Sequence, residues 1–415
     1  MSAEVFYCRE GKLHCESCSV GEVARSVLTP FYVYSSRCLQ VRYRALSGAF
    51  SSVPHLICYA LKANAQPALL EVLKEEGAGA EVVSAAELAL ALEVGFAPEK
   101  IVFSGVGKTE AELLVGLRAG VLLFTVESEG ELVTLERLAA GKATRARVAL
   151  RVNPDIDPGT HPHIATGHQE AKFGVDRETA LGLYARRGEF RHLDFSALHA
   201  HIGSQITTLE PLVLNARFLG KLAAELRQAG VPISELDIGG GLGIAYGAEG
   251  VPRFEDYARE VLPWVSPTRA RLILEPGRAL VGPAGALVIR VLYVKSVHGR
   301  SFAVVDAGMN DFLRPALYDA YHRIVPVTSK SGPPKTLDVV GAVCESSDVF
   351  GRERRLVDPQ PGDLLAVLDA GAYGYAMSSN YNLRPRPAEV LVEGNRFRVI
   401  RRAESVEELV ARERG

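Results

Sequence analysis

Short apolar runs alternate with longer amphipathic segments between residues 36 and 280, and this alternation constrains the fold more than any other feature. Each run has the length of a buried strand, and each intervening segment has helical periodicity. The runs are LICYAL (56–61), AEVV (80–83), IVFS (101–104), LLFTV (122–126), RVALRV (147–152), FSALHAHI (195–202), ELDI (235–238) and RLILE (271–275). Eight such strands predict a (β/α)8 TIM-type barrel. A doubly wound open sheet is the competing fold, but no switch point is obvious.

The chain has a different character on either side of this region. After residue 280, strand-like runs such as GALVIRVLYVKSV and DLLAVLDAGAYG are separated by Gly, Pro and charged turns, as in an all-β domain. The N-terminal EVFYCREGKLHCESC predicts a hairpin that turns at Glu10-Gly11. We therefore expect a barrel over residues 36–280. We expect a β-sandwich or β-barrel domain built from residues 1–35 and 281–415, which contributes substrate and dimer contacts.

The charge and cysteine content narrow the class of protein. The 415 residues include 47 Lys and Arg against 49 Asp and Glu, so nothing suggests a nucleic-acid partner. No apolar run reaches the ~18 residues of a membrane span, and the start lacks the features of a secretion signal. The six cysteines are scattered, as in a cytoplasmic protein. Cys15 and Cys18 lack a second pair, so ordinary thiols in a hairpin are favoured over a metal site.

Polar residues stand at the ends of several predicted strands, where barrels carry their active sites. His199 and His201 lie two apart in the sixth strand and should point the same way. Lys62 ends the first strand. Burial at a barrel mouth lowers the pKa of a lysine, and its free amine can form a Schiff base with an aldehyde. An ion pair with Glu81 or Glu127 is the structural alternative.

Glycines follow the seventh strand in the run DIGGGLG, which contains Gly239, Gly240 and Gly241. Consecutive glycines let backbone N–H groups approach an anion, although a tight turn explains GGG equally well. The later EPGR (275–278) strengthens a phosphate site. An aldehyde that carries a phosphate is pyridoxal 5′-phosphate (PLP), and Glu275 could keep its pyridine nitrogen protonated. A surface ion pair with Arg278 is the alternative for Glu275.

These residues resemble the PLP-dependent decarboxylases with an alanine-racemase-like barrel, and within them the diaminopimelate decarboxylases. The wider group shares YALKAN, HIGSQ, DIGGGLG and EPGR. The motifs most similar to diaminopimelate decarboxylases are HPHIATGHQEAKFG (161–174), RPALYDAYH (314–322), CESSD (344–348) and GAYGYAMSSNYN (371–382). The resemblance runs from TPFYVYS (29–35) to NLRPRP (382–387).

The resemblance implies a set of cofactor contacts. Lys62 resembles the lysine that binds PLP covalently, His201 the imidazole stacked on the ring, and Glu275 the acid at the pyridine nitrogen. Cys344 resembles the cysteine that donates a proton after carbon dioxide leaves. The groups implied around the phosphate are Ser204, Gly240, Gly277, Arg278 and Tyr373, beside the glycines Gly239 and Gly241.

The resemblance also implies the substrate, meso-2,6-diaminopimelate, with L-lysine and carbon dioxide as products in the last step of lysine biosynthesis. Arg314 and Tyr318 resemble the residues that bind the far carboxylate of this substrate, and Glu345 resembles the acid that binds its far amino group. Arg278 and Tyr373 also reach the substrate. In this family Cys344, Glu345 and Tyr373 come from the partner subunit, so a homodimer with shared active sites is implied. A surface helix with an ion pair is the alternative reading of RPALYDAYH.

Departures and competing functions remain. Glu81 stands where Asp is expected, and His163 and Ala165 replace the more usual Tyr and Ser.

A decarboxylase for ornithine, arginine, carboxynorspermidine or a carrier-linked amino acid would share the cofactor motifs. The first three should not need the pair of Arg314 and Glu345. An amino acid racemase usually has a cation near the pyridine nitrogen, and a PLP-binding protein without catalysis needs no proton donor.

Overall fold

The computed structural model describes residues 5–161, 166–167 and 172–414. The chain separates into two compact units. One unit comprises Arg42–Ile244 and Gly250–Ala279. The other combines the N-terminal residues up to Val41, the short segment Ala245–Glu249 and the residues from Leu280 onward. No helix among the described residues is long and apolar enough to cross a bilayer.

The strands are numbered along the chain. They are β1 Phe6–Arg9, β2 Lys12–Cys15, β3 Cys18–Ser19, β4 Phe31–Ser35, β5 His55–Ala60, β6 Gly79–Val82, β7 Ile101–Phe103, β8 Leu123–Val126, β9 Ala146–Arg151, β10 Leu193–His199, β11 Glu235–Asp237, β12 Arg271–Leu274, β13 Gly285–Val297, β14 Arg300–Val305, β15 Ile324–Pro326, β16 Pro334–Val340, β17 Val349–Val357, β18 Leu364–Val367, β19 Ala388–Glu393 and β20 Arg396–Arg401.

The helices are numbered in the same way. They are α1 Val20–Ser26, α2 Ser36–Ala49, α3 Pro67–Glu75, α4 Ala85–Val94, α5 Glu110–Ala119, α6 Glu129–Gly141, α7 Arg177–Ala185, α8 Glu210–Gln228, α9 Phe254–Val265, α10 Arg278–Val281, α11 Arg314–Tyr318 and α12 Val406–Arg414. Side-chain caps define several starts. Thr109 forms a capping box with Glu112 at α5, and Ser84 caps α4. Helix α4 ends at Gly95, whose φ of 92° suits glycine.

Strands β5 to β12 form a closed parallel barrel, which confirms the predicted TIM-type fold. Each strand pairs with the next along the chain, and Leu272 of β12 pairs with His55 of β5 to close the ring. All eight strands coincide with the predicted apolar runs to within a few residues. The sixth ends earlier than predicted. Beyond His199, the carbonyls of His201 and Ile202 accept hydrogen bonds from Thr166.

The second unit is mostly β-structure and is built from both ends of the chain, as predicted. Its main sheet has the order β17-β16-β14-β13-β4-β19-β20, with β18 pairing β13 and β15. The N-terminal β4 lies between β13 and β19, so early and late segments share one sheet. The predicted hairpin β1–β2 turns at Glu10 and Gly11, both at positive φ. Cys15 and Cys18 are paired across β2 and β3 as free thiols.

Candidate active site

Lys62 lies at the carboxyl rim of the barrel, in a short turn directly after β5. Its Nζ donates to both Glu81 oxygens, at 3.1 and 2.9 Å. The Glu81 side chain is 1% exposed, whereas 38% of the Lys62 side chain is exposed. Burial raises the pKa of Glu81, although the charge of Lys62 opposes this effect. The ion pair anticipated as an alternative is therefore present, and the Lys62 side chain is nevertheless partly exposed at the rim.

Glu275 follows β12 and is buried, so the alternative of a surface ion pair is wrong. One oxygen, Oε2, lies 3.2 Å from Nε2 of His199. Burial alone would raise the pKa of Glu275, but the nearby His199 and Lys62 outweigh it and hold the pKa below its usual range. The other oxygen, Oε1, is buried and has no hydrogen-bond partner among the described residues. Glu275 is thus an ionised acceptor with one oxygen unsatisfied.

The glycine run after β11 packs backbone against backbone. A Cβ on Gly240 would lie 2.2 Å from the carbonyl oxygen of Glu275. Gly239 and Gly241 have φ values of +69° and +104°, which disfavour side chains. A Cβ on Gly277 would lie 2.9 Å from the Cβ of Ala63. These glycines form a tight cradle in which the N–H groups of Gly239 and Gly240 already donate to Asp237 and His201.

His201 lies beside this cradle. Its Nδ1 accepts the N–H of Gly240 at 3.2 Å, which assigns the proton of the neutral ring to Nε2. Burial, followed by the positive charges of Arg151 and Lys62, lowers the pKa of His201 well below its ordinary value. The ring is therefore neutral at physiological pH. Because β10 ends at His199, strand alternation does not relate His201 to His199 as the sequence predicted.

Ser204 and Arg278 come together at the same rim. The Nε and Nη2 atoms of Arg278 donate to Oγ of Ser204, at 3.3 and 3.0 Å. Arg278 is buried at the first position of α10. A guanidinium and a hydroxyl held together are suitable donors for a phosphate. The rim residues therefore fit PLP: an amine for its aldehyde, the donors of Arg278 and Ser204 for its phosphate, and the unsatisfied Glu275 oxygen for its pyridine nitrogen.

Arg314 lies in the other unit, at the start of α11, and is buried. The alternative of a surface helix is therefore wrong for this residue. Its guanidinium donates to the Tyr246 hydroxyl and stacks over the Tyr246 ring at 4.6 Å. The ring of His322 contacts both Tyr246 and Phe312, with centroids 4.6 and 4.7 Å apart. Tyr318, at the end of α11, is half-buried.

Three further predicted site residues lie on loops of this unit. Cys344 is an exposed free thiol whose backbone N–H donates to Asn382. Glu345 accepts from Ser347 Oγ at 2.6 Å and from Tyr381 Oη at 2.8 Å. These two hydrogen bonds lower the pKa of Glu345. Tyr373 is half-buried with a φ of 56°.

Some residues lie outside these predictions. No role was predicted for His199, Asp237 or Tyr246, which lie against predicted site residues. Asp237 could have been found, because an acid within the apolar run ELDI is as unusual as a lysine at the end of LICYAL. His163 and Ala165 lie outside the described residues.

Comparison with known proteins agrees with this chemistry. Residues 37–282 match the family described as pyridoxal-dependent decarboxylase, pyridoxal binding domain. The diaminopimelate decarboxylase of Aquifex aeolicus is 45% identical over 97% of this chain and 96% of its own length. That of Pseudomonas aeruginosa is 44% identical over 99% of both chains.

Solved structures extend the comparison. Helicobacter pylori diaminopimelate decarboxylase complexed with L-lysine has a TM-score of 0.92 at 40% identity, covering 95% of this chain and 99% of that chain. The M. jannaschii enzyme with L-lysine has a TM-score of 0.94 at 36% identity, covering 99% and 98%. A Vibrio vulnificus lysine/ornithine decarboxylase at 22% identity shares the fold. The chain belongs to the pyridoxal-dependent decarboxylases, in the family of the diaminopimelate decarboxylases.

Proposed function

We propose that this protein is a PLP-dependent carboxy-lyase that converts meso-2,6-diaminopimelate to L-lysine and carbon dioxide, the last step of lysine biosynthesis. The observation that carries the reaction class is the buried, ionised Glu275 with one unsatisfied oxygen at the barrel rim. The substrate class rests on the similarity to diaminopimelate decarboxylases along nearly the whole chain.

The barrel residues have separate tasks. When bound, PLP supplies an electron sink for the carbanion that remains after carbon dioxide leaves. Lys62 would hold the cofactor through its amine, at the position where the amine of the substrate has to bind. Glu275 would accept a hydrogen bond from the protonated pyridine nitrogen, which would strengthen the sink. His201 presents a neutral ring beside the glycine cradle, so it adds no charge to the cofactor face. A racemase would favour a cation where Glu275 stands.

The far end of the substrate carries a carboxylate and an ammonium group, and we propose that Arg314 and Glu345 bind them with help from Tyr318. Tyr246 fixes the Arg314 guanidinium by stacking and by a hydrogen bond, which preorganises a two-pronged contact with a carboxylate. The lowered pKa of Glu345 keeps it ionised for an ammonium group. Ornithine and L-lysine lack the far carboxylate and would forgo the charge-assisted contact with Arg314.

The proposal includes a cytoplasmic homodimer in which each subunit lends Cys344, Glu345 and Tyr373 to the active site of its partner. Cys344 donates the proton that replaces carbon dioxide. Its thiol is exposed on a loop, as a group shared with a second chain would be before association. None of the six cysteines, all of which lie among the described residues, forms a disulfide, which suits a reducing compartment.

The substrate test is carbon dioxide release by the purified protein with PLP. We would offer meso-diaminopimelate, L-ornithine, L-lysine and L-arginine separately. Release from meso-diaminopimelate alone, with L-lysine as product, supports the proposal. Release from another of these amino acids would overturn the substrate assignment. Lys62→Ala should abolish turnover, whereas Lys142→Ala, at the end of α6, should match the parent. Turnover by Lys62→Ala at the parental rate would refute the mechanism.

The shared site has its own test. Lys62→Ala and Cys344→Ala proteins would each be inactive or slow, and the two would be mixed, unfolded and refolded together. Random pairing makes half of the dimers mixed, and each mixed dimer has one complete site, so about a quarter of the parental activity should return. If no activity returns although mixed dimers form, Lys62 and Cys344 do not meet across subunits.

A further inference from the structure

Asp237 is a fully buried acid at the end of β11, next to the glycine cradle. Its Oδ1 accepts the N–H of Gly239 at 2.8 Å. Its Oδ2 has no hydrogen-bond partner among the described residues. Ligand atoms of His199, Asp237 and Glu275 all lie within 4.8 Å of one another. Asp237 therefore lies against the acid that serves the pyridine nitrogen.

In each of the two acids of this cluster, one carboxylate oxygen lacks a hydrogen-bond partner among the described residues. Oδ2 of Asp237 and Oε1 of Glu275 are both buried without a partner, and an ionised carboxylate can only accept hydrogen bonds. If both acids were ionised, their charges would repel in a site that water does not screen. One proton shared between them removes the repulsion and satisfies both oxygens. Spacing alone would also allow a metal ion, but a proton accounts for both bare oxygens without one.

The surroundings decide which acid keeps the proton. His199 lies on the Oε2 side of Glu275, and with Lys62 it favours the ionised form of that acid. Burial and then the Glu275 charge raise the pKa of Asp237 well above its usual range, and Glu81 on β6 adds to this effect. Cys58 of β5 and Tyr257 of α9 also interact with Asp237, and neither brings a positive charge.

We propose that Asp237 is a positioning residue that keeps its proton in the working enzyme and donates it in a hydrogen bond to Glu275. Glu275 is then held from two sides, by His199 at Oε2 and by Asp237 at Oε1. Each carboxylate oxygen has two acceptor positions, so Oε1 still has one for the pyridine nitrogen. This inference rests on the proposed role of Glu275.

Two substitutions separate the donor from the charge. Asp237→Asn keeps both contacts, because its carbonyl oxygen can accept from Gly239 and its amide NH2 can donate to Glu275. Asp237→Leu removes both. If Asp237 is protonated, Asp237→Asn should behave like the parent. If Asp237 is ionised, Asp237→Asn lacks the charge and should be as defective as Asp237→Leu.

The first readout is the infrared difference spectrum of the parent and Asp237→Asn holoenzymes. We expect the parent to show a carboxylic-acid C=O band that shifts in D2O, and we expect Asp237→Asn to lack this band. Loss of a carboxylate band alone would overturn the proposal. This measurement requires neither turnover nor the Leu variant. It therefore decides the proposal even if Asp237→Leu does not fold or if meso-diaminopimelate is not the substrate.

The second readout is the 15N resonance of PLP labelled at the pyridine nitrogen and bound to each protein. Asp237→Asn should keep the protonated position, and Asp237→Leu should move toward the unprotonated position, which Glu275→Gln defines. The rate should follow the same pattern. We expect kcat to be about tenfold to a hundredfold below the parental value in Asp237→Leu and close to the parental value in Asp237→Asn. A resonance in Asp237→Leu that matches the parent would reduce Asp237 to a purely structural role and refute the proposal.

Discussion

Replacing Gly240 by alanine tests the contact that brings the glycine cradle against Glu275. The added Cβ would lie 2.2 Å from the carbonyl oxygen and 3.0 Å from the carbonyl carbon of Glu275. Both are backbone atoms, so no side-chain rotation relieves the clash. Ordinary contact begins at 3.4 Å, so the two segments must separate by roughly 1 Å. The N–H of Glu275 also donates to the Gly239 carbonyl at 2.9 Å, so the shift would strain this hydrogen bond.

The size of the effect follows from this geometry. Overpacking a well-packed site costs about 1–3 kcal/mol of unfolding free energy, and a clash with backbone belongs at the upper end. For a domain of this size, ~3 kcal/mol lowers Tm by roughly 6–12 °C. Displacing Glu275 by about 1 Å should lower kcat/KM by about a hundredfold. Both effects should appear together, since one displacement causes them.

Thermal unfolding of the cofactor-free protein and steady-state carbon dioxide release from meso-diaminopimelate would measure the two effects. Gly182→Ala is a matched control, because Gly182 lies in α7 and its added Cβ would meet no heavy atom within 4 Å. Alanine there should be neutral or should stabilise the protein by up to about 1 kcal/mol. If Gly240→Ala has the same Tm and the same kcat/KM as Gly182→Ala, the close approach of the cradle to Glu275 is refuted.

Three other substitutions test single parts of the proposal. Arg314→Lys keeps the charge but loses the planar fork, so KM for meso-diaminopimelate should rise at least about tenfold in steady-state assays, and an unchanged KM would contradict the carboxylate role. Cys344→Ala should slow turnover by about 10²–10⁴-fold while PLP absorbance is kept, and Cys8→Ala, another exposed thiol, should not. The pKa of His201 is lower in the folded protein than in the unfolded chain. The unfolded chain therefore takes up the proton first as the pH falls, and the free energy of unfolding decreases below about pH 6.5. The decrease is at most about 1.4 kcal/mol per pH unit. His201→Gln should flatten this acid dependence in urea unfolding, and equal slopes in both proteins would argue against a neutral His201.

The barrel was predictable because its strands are buried on both faces. Such strands leave continuous apolar runs in the sequence, and eight of them in alternation with helices admit few folds. The end of β10 was misplaced for a physical reason. The run FSALHAHI continues apolar to residue 202, but the carbonyls of His201 and Ile202 bond to Thr166. Apolar character records burial and carries no information about hydrogen-bond partners.

The pairing in the β-unit could not be predicted in the same way. Strand β4 lies between β13 and β19, which are far from it in the chain. Each of these strands has its own apolar pattern, but that pattern does not specify which strand it pairs with. The same limit hid Tyr246, whose contact with Arg314 joins residues 68 positions apart. Residues whose role follows from their own position, such as Lys62 at a strand end, were accessible.

Charge balance at the barrel rim explains why Asp237 differs from the other acids there. Among the described contacts, the neighbouring buried acids each have a basic partner: Glu81 with Lys62, Glu127 with Arg151, and Glu275 with His199. Asp237 accepts the backbone N–H of Gly239, and no ion pair joins it to a basic side chain among the described residues. An acid buried without a cation is stable only if it carries a proton. Glu81 fits the same scheme, because its longer chain places both oxygens within hydrogen-bonding distance of Lys62. Because each of the other buried acids has its own base, we infer that the carboxyl of Asp237 acts as a donor. Glu275 is the acceptor beside it.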